Sequence, residues 1–382
     1  MGLRNLFFLI IIVLSSGHAV LYAQETRRDS IKLAITPYGS FRGHIAAIRE
    51  EVEIQENASR IGFQVSVHGQ KFRYFAGVEL AINLFRSPNS LNADGNTNSG
   101  FLRLDQVQNA QVFATRLGFL GVDMGKYGTL TVGKQWGLYY DVSGYTDKFN
   151  VFGGQGSATY VNNGDGGESG TGRASQAIVY RNNFGRLHIG GQVQLRSADS
   201  GYFIDGFALN AQFEVLRGFR LGATYNKVYI SDFFVDNVLG FGSQPEYLVI
   251  GASYNTAVWD FGLVYATHKN GDLAETIIEE ELVSAIYDAT GLEFLVKFKK
   301  PWYTLLAGLN IYNPKVDDLP FDPDFEREFY IIGAEFKPTR YAYFYTEYRF
   351  SNSTSSLGLD ASNVYTLGIR LDVSRTWERK IF

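Results

Sequence analysis

Apolar and polar side chains alternate one by one over segment after segment of the chain. From Arg186 to Arg196, Leu187, Ile189, Gly191, Val193 and Leu195 fall on one side. Arg186, His188, Gly190, Gln192, Gln194 and Arg196 fall on the other. After Gly291, Leu292, Phe294, Val296 and Phe298 stand against Glu293, Leu295, Lys297 and Lys299. Ile61, Phe63, Val65 and Val67 alternate with Arg60, Gly62, Gln64, Ser66 and His68, and Tyr365, Leu367, Ile369 and Leu371 with Thr366, Gly368, Arg370 and Asp372. Successive strand side chains point to opposite faces, so a period of two predicts a sheet between two different environments. A soluble sandwich alternates too, but its outer face tolerates long Lys and Glu runs. Here the polar faces are rich in Gly, Gln, Ser, Arg and Tyr, as a wet lumen requires. The apolar faces run for the roughly 9–11 residues that cross a bilayer as a tilted strand. Lipid on one face demands that every backbone polar group be paired, which forces closure.

The connections alternate short and long, as in barrels of outer membranes. Tight turns are expected near His68–Lys71, Gly125–Gly128, Asn183–Arg186, Leu216–Phe219, Lys299–Trp302 and Lys337–Tyr341. Long polar loops are expected near Ser87–Gln108, Asp141–Gly172, Ser231–Pro245, Asn270–Ala285, Pro314–Glu328 and Asn352–Asn363. The expected fold is therefore all-β, a transmembrane antiparallel barrel of about sixteen strands, a size that leaves an aqueous channel. Residues 24–382 form it as one domain.

The N-terminus supplies the export route. Arg4 precedes the apolar run Leu6–Leu14, too short for a spanning helix, and small residues follow at Ser15, Ser16, Gly17 and Ala19. Residues 1–23 read as a signal peptide cleaved after Ala23. Composition agrees: 41 Gly, 24 Tyr and 30 Phe stand beside only 19% charged residues and no cysteine. A disulfide framework and a thiolate metal site are thereby excluded. The formal charge of −4 argues against nucleic-acid binding, which shows as clustered basic charge.

The stretch from Thr115 to Asp147, continued by Phe152-Gly153-Gly154, Gly172-Arg173 and Tyr180-Arg181-Asn182, resembles the general diffusion porins of Gram-negative outer membranes. Ser59-Arg60-Ile61-Gly62-Phe63 resembles that family's second strand, Tyr38-Gly39 its first, and residues 329–373 its last three. The resemblance implies a homotrimer of sixteen-stranded barrels set in lipid and lipopolysaccharide, passing small polar solutes and ions without a cofactor. It also implies a third loop folded inward, whose acids face a basic wall across a constriction. Such a charged ring in a narrow low-dielectric frame focuses potential and sets ion preference.

Carried over residue by residue, the resemblance makes Arg60, Arg116 and Arg173 the basic wall and Asp147 the loop acid. Each arginine falls on the polar face of its strand. The family's first-strand lysine is Ser40 here, and Arg42, two residues on, can substitute. The family's second loop acid is Val151, a loss that predicts weaker cation selectivity and a mild anion preference. An insertion carrying Asn162, Asn163, Asp165 and Glu168 offers replacement acids.

Other features carry plainer readings. Mature His44, His68, His188 and His268 lack metal-ligand spacing, and the Gly-rich run Gly164–Gly172 lacks the Gly-Lys-Ser/Thr of a phosphate loop. The acidic runs Glu50–Glu56 and Asp317–Glu328 read as solvated rim and loop. Trp136, Trp259, Trp302 and Trp377 fit interfacial girdles or packing under loops. Ser374–Phe382 extends beyond the family's last strand, either lengthening that strand or folding back. A catalytic barrel would need a Ser/His or Asp/His set at its edge, and no such local constellation is visible. The alternative to general diffusion is a channel specific for an anion, an oligosaccharide or a fatty acid; Tyr341, Tyr343 and Tyr345 on one face hint at an aromatic slide.

Overall fold

The period-two segments pair edge to edge into a single closed wall in a computed structural model of the chain. It describes residues 31–85, 90–91, 104–105, 113–196, 201–232, 235, 243–278, 281–315 and 321–381. The expected leader, its cleavage site and Phe382 lie outside the described residues.

The first strands are β1 (Lys32–Ile48), β2 (Glu51–Glu56), β3 (Arg60–His68) and β4 (Arg73–Ile82). A small separate pair, β5 (Ser90–Leu91) and β6 (Leu104–Asp105), follows. Next come β7 (Phe113–Asp123), β8 (Thr129–Trp136), β9 (Arg173–Phe184), β10 (Leu187–Gln194), β11 (Gly206–Leu216) and β12 (Phe219–Val228). The rest are β13 (Glu246–Asn255), β14 (Trp259–Ile278), β15 (Glu281–Lys299), β16 (Tyr303–Lys315), β17 (Arg327–Phe336), β18 (Ala342–Ser351), β19 (Val364–Ser374) and β20 (Trp377–Lys380).

Sixteen of these are staves of the wall. β2 is the distal half of the β3 stave, and the Asn57–Ser59 break between them adds one residue relative to β1. β20 continues β19 in unbroken register: Ser374 stands opposite Tyr38 and Trp377 opposite Ile35. The tail therefore lengthens the last strand rather than folding back. β1 bonds β3 on one side and β19 on the other, which closes the barrel with every neighbour antiparallel.

Turns of two to five residues join β3–β4, β7–β8, β9–β10, β11–β12, β13–β14, β15–β16 and β17–β18, all at one rim. The expected loop at Asn270–Ala285 is instead strand, since β14 and β15 run through it to Ile278 and from Glu281. The reason lies in its alternation. Leu273 and Ile277 are exposed while Asp272 and Thr276 are buried, so the two-faced pattern continues past a register shift between His268 and Asp272.

The faces sort as the alternation requires. On β19, Tyr365, Leu367, Ile369, Leu371 and Val373 are exposed, whereas Val364 and Thr366 are fully buried. Leu209, Phe213, Leu221, Ile250, Leu263, Phe294, Leu305, Ile332 and Phe344 extend this exposed apolar surface around the wall. Water would not tolerate a continuous patch of that size, and a bilayer supplies its partner. Trp259, Trp302 and Trp377 stand exposed at the short-turn rim, the place of an interfacial girdle. Trp136 does not join them; it stacks on Tyr140 with ring centroids 3.9 Å apart.

Candidate functional site: a basic arc and an anchored segment

Among the described residues, three of the four buried apolar clusters lie where residues 137–172, between β8 and β9, meet the wall. Tyr139, Val142 and Tyr145 pack on Val228, Tyr247, Val249 and Val264. Val151 and Phe152 pack on Ala46, Ile48, Ile331, Tyr345 and Val364. Leu138 packs on Ala174, Ala177, Val179 and Ala208. Val151 thus fills an apolar seat, which accounts for the missing acid at that position.

Polar side chains of the wall fasten the same segment through its backbone. Glu347 accepts from the backbone N–H groups of Asn150, Val151 and Phe152 at 2.5, 2.9 and 3.2 Å. Glu293 accepts from Gly156 and Ser157 at 2.9 and 2.6 Å, and from the Thr146 hydroxyl. Gln192 accepts from the Leu138 N–H at 2.9 Å, Gln194 donates to Gly167 O at 2.8 Å, and Asn226 donates to Ser169 O at 2.8 Å. Tyr145 donates to Gln212 at 2.7 Å, and Lys148 pairs with Asp260 at 2.8 Å. These anchors come from β10, β11, β12, β14, β15 and β18. Orphan backbone groups of an irregular segment are costly to bury, and here side chains of the wall satisfy them.

A group of basic side chains occupies the other staves. Arg42 lies on β1, Arg60 on β3, Arg116 on β7, Lys134 on β8, Arg173 on β9 and Arg370 on β19. Glu79 of β4 sits among them, nearly buried. It takes the Arg116 Nε at 2.8 Å, lies 3.8 Å from the Arg60 Nη1, and accepts from the Tyr38 hydroxyl at 3.0 Å. Arg116 is the extra residue where the β4–β7 register shifts between Glu79 and Leu80, and such a bulge re-aims a side chain. Arg42 donates from Nε to Ser40 Oγ at 2.7 Å, and its backbone N–H donates to Ser59 Oγ at 2.8 Å.

Arg173 and Lys134 converge on Asp165, at 3.1 and 2.7 Å from its Oδ2. Burial pushes the Asp165 carboxyl up, but the charges of Arg173 and Lys134 outweigh it and hold the group below the ordinary carboxylate value. Asp147 has no cation within ion-pair distance among the described residues. Its Oδ2 accepts from the hydroxyls of Tyr140 and Tyr160 at 3.0 and 2.9 Å. Burial raises its carboxyl above the ordinary value, although those two hydrogen bonds, and Arg173 and Arg60, pull the other way.

Of the residues expected from sequence, Arg42, Arg60 and Arg116 fall on one stretch of wall with Glu79. Arg173 lies farther along it with Asp165, and Asp147 belongs to the anchored segment. Sequence reasoning missed Glu79, Glu293 and Glu347, although the signal was present. Each is a lone carboxylate between exposed or half-exposed neighbours, as in Val78-Glu79-Leu80 and Leu292-Glu293-Phe294. Lys134 was invisible to parity because Gly133, at φ 129°, breaks the register between Gly133 and Gln135. The suspected aromatic slide is interrupted. Tyr345 is buried against Val151 and Phe152 and accepts from Asn57 Nδ2 at 2.7 Å, while Tyr343 lies between Lys337 and Arg370.

A closed wall of sixteen antiparallel staves, apolar outside and polar and charged inside, defines a β-barrel of the outer membrane. The model of the Gram-negative porin family matches residues 10–373, and the chain belongs to that family. Outer membrane porin F of Xenorhabdus nematophila is 24% identical over 277 residues, covering 67% of this chain and 73% of that protein. Alignments with other curated relatives cover about half of their length or less. Among solved structures, Salmonella typhi OmpF in complex with daunomycin superposes with a TM-score of 0.71 at 19% identity, over 92% of this chain and all of that one. The trimer form of OmpT from Vibrio cholerae superposes with a TM-score of 0.60 at 16% identity, over 89% and 99%.

Proposed function

We propose that this protein is a passive conduit for small hydrophilic solutes and ions, narrowed where residues 137–172 fold into its lumen. The observation that carries this reading is the division of the staves. Those from β10 to β18 supply most of the anchors of the segment, while β19, β1, β3, β7 and β9 carry Arg370, Arg42, Arg60, Arg116 and Arg173. A segment touching strands so far apart around a closed wall has to run within it. The free carboxylate edge then comes from Asp147, and the basic edge from Arg42, Arg60, Arg116 and Arg173. A field between the two edges screens solutes by charge. Because Val151 is an apolar anchor and Asp165 is consumed by Arg173 and Lys134, the basic edge dominates and the preference is mildly anionic.

Three such barrels assemble through their apolar outer faces, with lipid and lipopolysaccharide around the rest, and export uses the leader 1–23. Planar-bilayer recording tests the reading. Current steps in threes with weak ion preference support it, and a reversal potential that shifts toward cations in Arg60→Ala places Arg60 at the narrows. Purified protein that dissolves without detergent, or that inserts without conducting, overturns it. A solute-specific channel would instead give small currents blocked by one solute class.

A further inference from the structure

Resting on the reading of this barrel as a diffusion channel, we propose a further station that shares Arg42 and Arg60 with the basic edge. It is a binding subsite for small multivalent oxyanions, carboxylates or phosphates, between the basic arc and the short-turn rim. A cavity of about 670 Å³ lies there, bounded by β1, β3, β19 and the β17–β18 turn. Four guanidinium groups line it, from Arg42, Arg60, Arg340 and Arg370, against two carboxylates, Glu79 and Asp372.

Those two carboxylates are already engaged. Glu79 serves Arg116 and Arg60, and Asp372 accepts from the Arg370 Nε and, at 2.6 Å, from the Ser40 hydroxyl. Arg42 stands directly opposite Arg370 in the β1–β19 register. Like charges so placed on antiparallel strands repel. Arg42 has no carboxylate within ion-pair distance among the described residues, and neither has Arg340, which lies over the Tyr341 ring at 4.5 Å. The ring of Tyr343 backs Arg370 at 5.3 Å, and its hydroxyl donates to Asn150 Oδ1 at 3.3 Å, tying this shelf to the anchored segment.

A guanidinium pair with a single carboxylate, Asp372 on Arg370, and with spare N–H groups fits an oxyanion that presents two or three oxygens, because the fork geometry matches bidentately. Such an anion relieves the Arg42–Arg370 repulsion, whereas chloride, a single point charge, relieves it less. The cavity reaches the turn residues Arg340 and Tyr341, so it is loaded from the short-turn mouth.

The test uses the full-length protein in planar bilayers in potassium chloride, with citrate or inorganic phosphate added to one side at a time. The readouts are the concentration that halves the single-channel current and the reversal potential. For wild type, half-block is expected at several-fold lower citrate from one side than from the other. Arg42→Gln and Arg370→Gln each raise that concentration about tenfold, the effect of one lost charge-assisted contact. Arg186→Gln, one charge fewer at the same rim but outside the cavity, leaves it unchanged. Arg340→Gln, at an exposed turn, serves if the strand variants fail to fold.

Block by citrate and phosphate alike identifies the shared oxyanion chemistry, and block by citrate alone narrows it to carboxylates. Equal block from both sides, or equal losses in Arg186→Gln and Arg42→Gln, reduces the effect to diffuse net charge and overturns the subsite. Absence of any conductance sinks the channel reading itself, whereas conductance without block sinks the subsite alone.

Discussion

Adding one methyl group at Gly291 tests how residues 137–172 are held. A β-carbon there would lie 1.6 Å from the carbonyl oxygen of Gly156 and 2.6 Å from its carbonyl carbon. Real contacts of this kind do not fall below 3.0 Å, so the segment must retreat by about 1.4 Å. Both partners are backbone, so no rotamer change can relieve the clash. Two residues along, Glu293 holds the Gly156 and Ser157 N–H groups at 2.9 and 2.6 Å, and such a retreat stretches both bonds past useful range. A hydrogen bond to a charged group contributes roughly 1.5–3 kcal/mol, and overpacking costs roughly 1–3 kcal/mol. The expected loss is about 3 kcal/mol in attachment of the segment, with the strand ladder of the wall intact. Single-channel conductance, reversal potential and heat-modifiable gel mobility are compared with Gly191→Ala, whose new methyl meets nothing within 4 Å. Gly291→Ala should change conductance, raise current noise and lower the unfolding temperature. Indistinguishable behaviour of the two variants would show that the segment does not rest on β15.

Further outcomes follow from the same contacts. Glu79→Gln leaves Arg60 and Arg116 without their shared anion, so the reversal potential moves toward anions and stability falls by roughly 1–3 kcal/mol; an unchanged reversal potential would mean that the lumen does not feel Glu79. Acid titration separates the two loop carboxylates. The raised Asp147 group takes up its proton first as pH falls, while the depressed Asp165 group stays charged. Anion preference should therefore grow on acidification before ordinary carboxylates titrate, and Asp147→Asn should abolish that early phase of the reversal-potential curve. Ending the chain at Ser374 removes the pairings of Lys32–Ile35 with Trp377–Lys380, and the yield of folded barrel on refolding into detergent should drop; an unchanged yield would make the extension dispensable.

The wall was legible in the sequence because each stave separates lipid from a polar interior, and a period of two records such a boundary directly. The short turns were legible for the same reason: they interrupt the alternation with Gly, Asn, Lys and Pro. Where alternation persists without crossing a membrane, the sequence gives no sign of the difference, and Asn270–Ala285 reads as loop although Leu273 and Ile277 keep the strand phase. Parity places Arg60 on the polar face. It fails at Lys134, beyond the Gly133 kink, because a positive φ disturbs the alternation locally, while Gln135 stays on the buried face with Thr131. The partner of a charge is less legible still. Nothing local to Glu79 names Arg116, which reaches it through a bulge 37 positions away in sequence.

This gap bears on how charge selectivity is inferred for such barrels. Counting acids and bases along the chain gives an acidic protein of net charge −4, and a net count would assign it to cations. The acids that line the anchored side are not free to act on a passing ion. Glu293 and Glu347 are occupied by backbone N–H groups, Asp260 by Lys148, and Glu335 by Lys337 at 2.7 Å and Lys297 at 3.8 Å. A carboxylate whose charge is met at hydrogen-bond distance projects little field across a water-filled gap. Arg42 and Arg340, by contrast, meet no carboxylate at that range among the described residues. On the proposed reading, the sign of the field is set by which charges lack ion-pair partners rather than by which are more numerous, and here Arg42 and Arg340 stand against Asp147 alone.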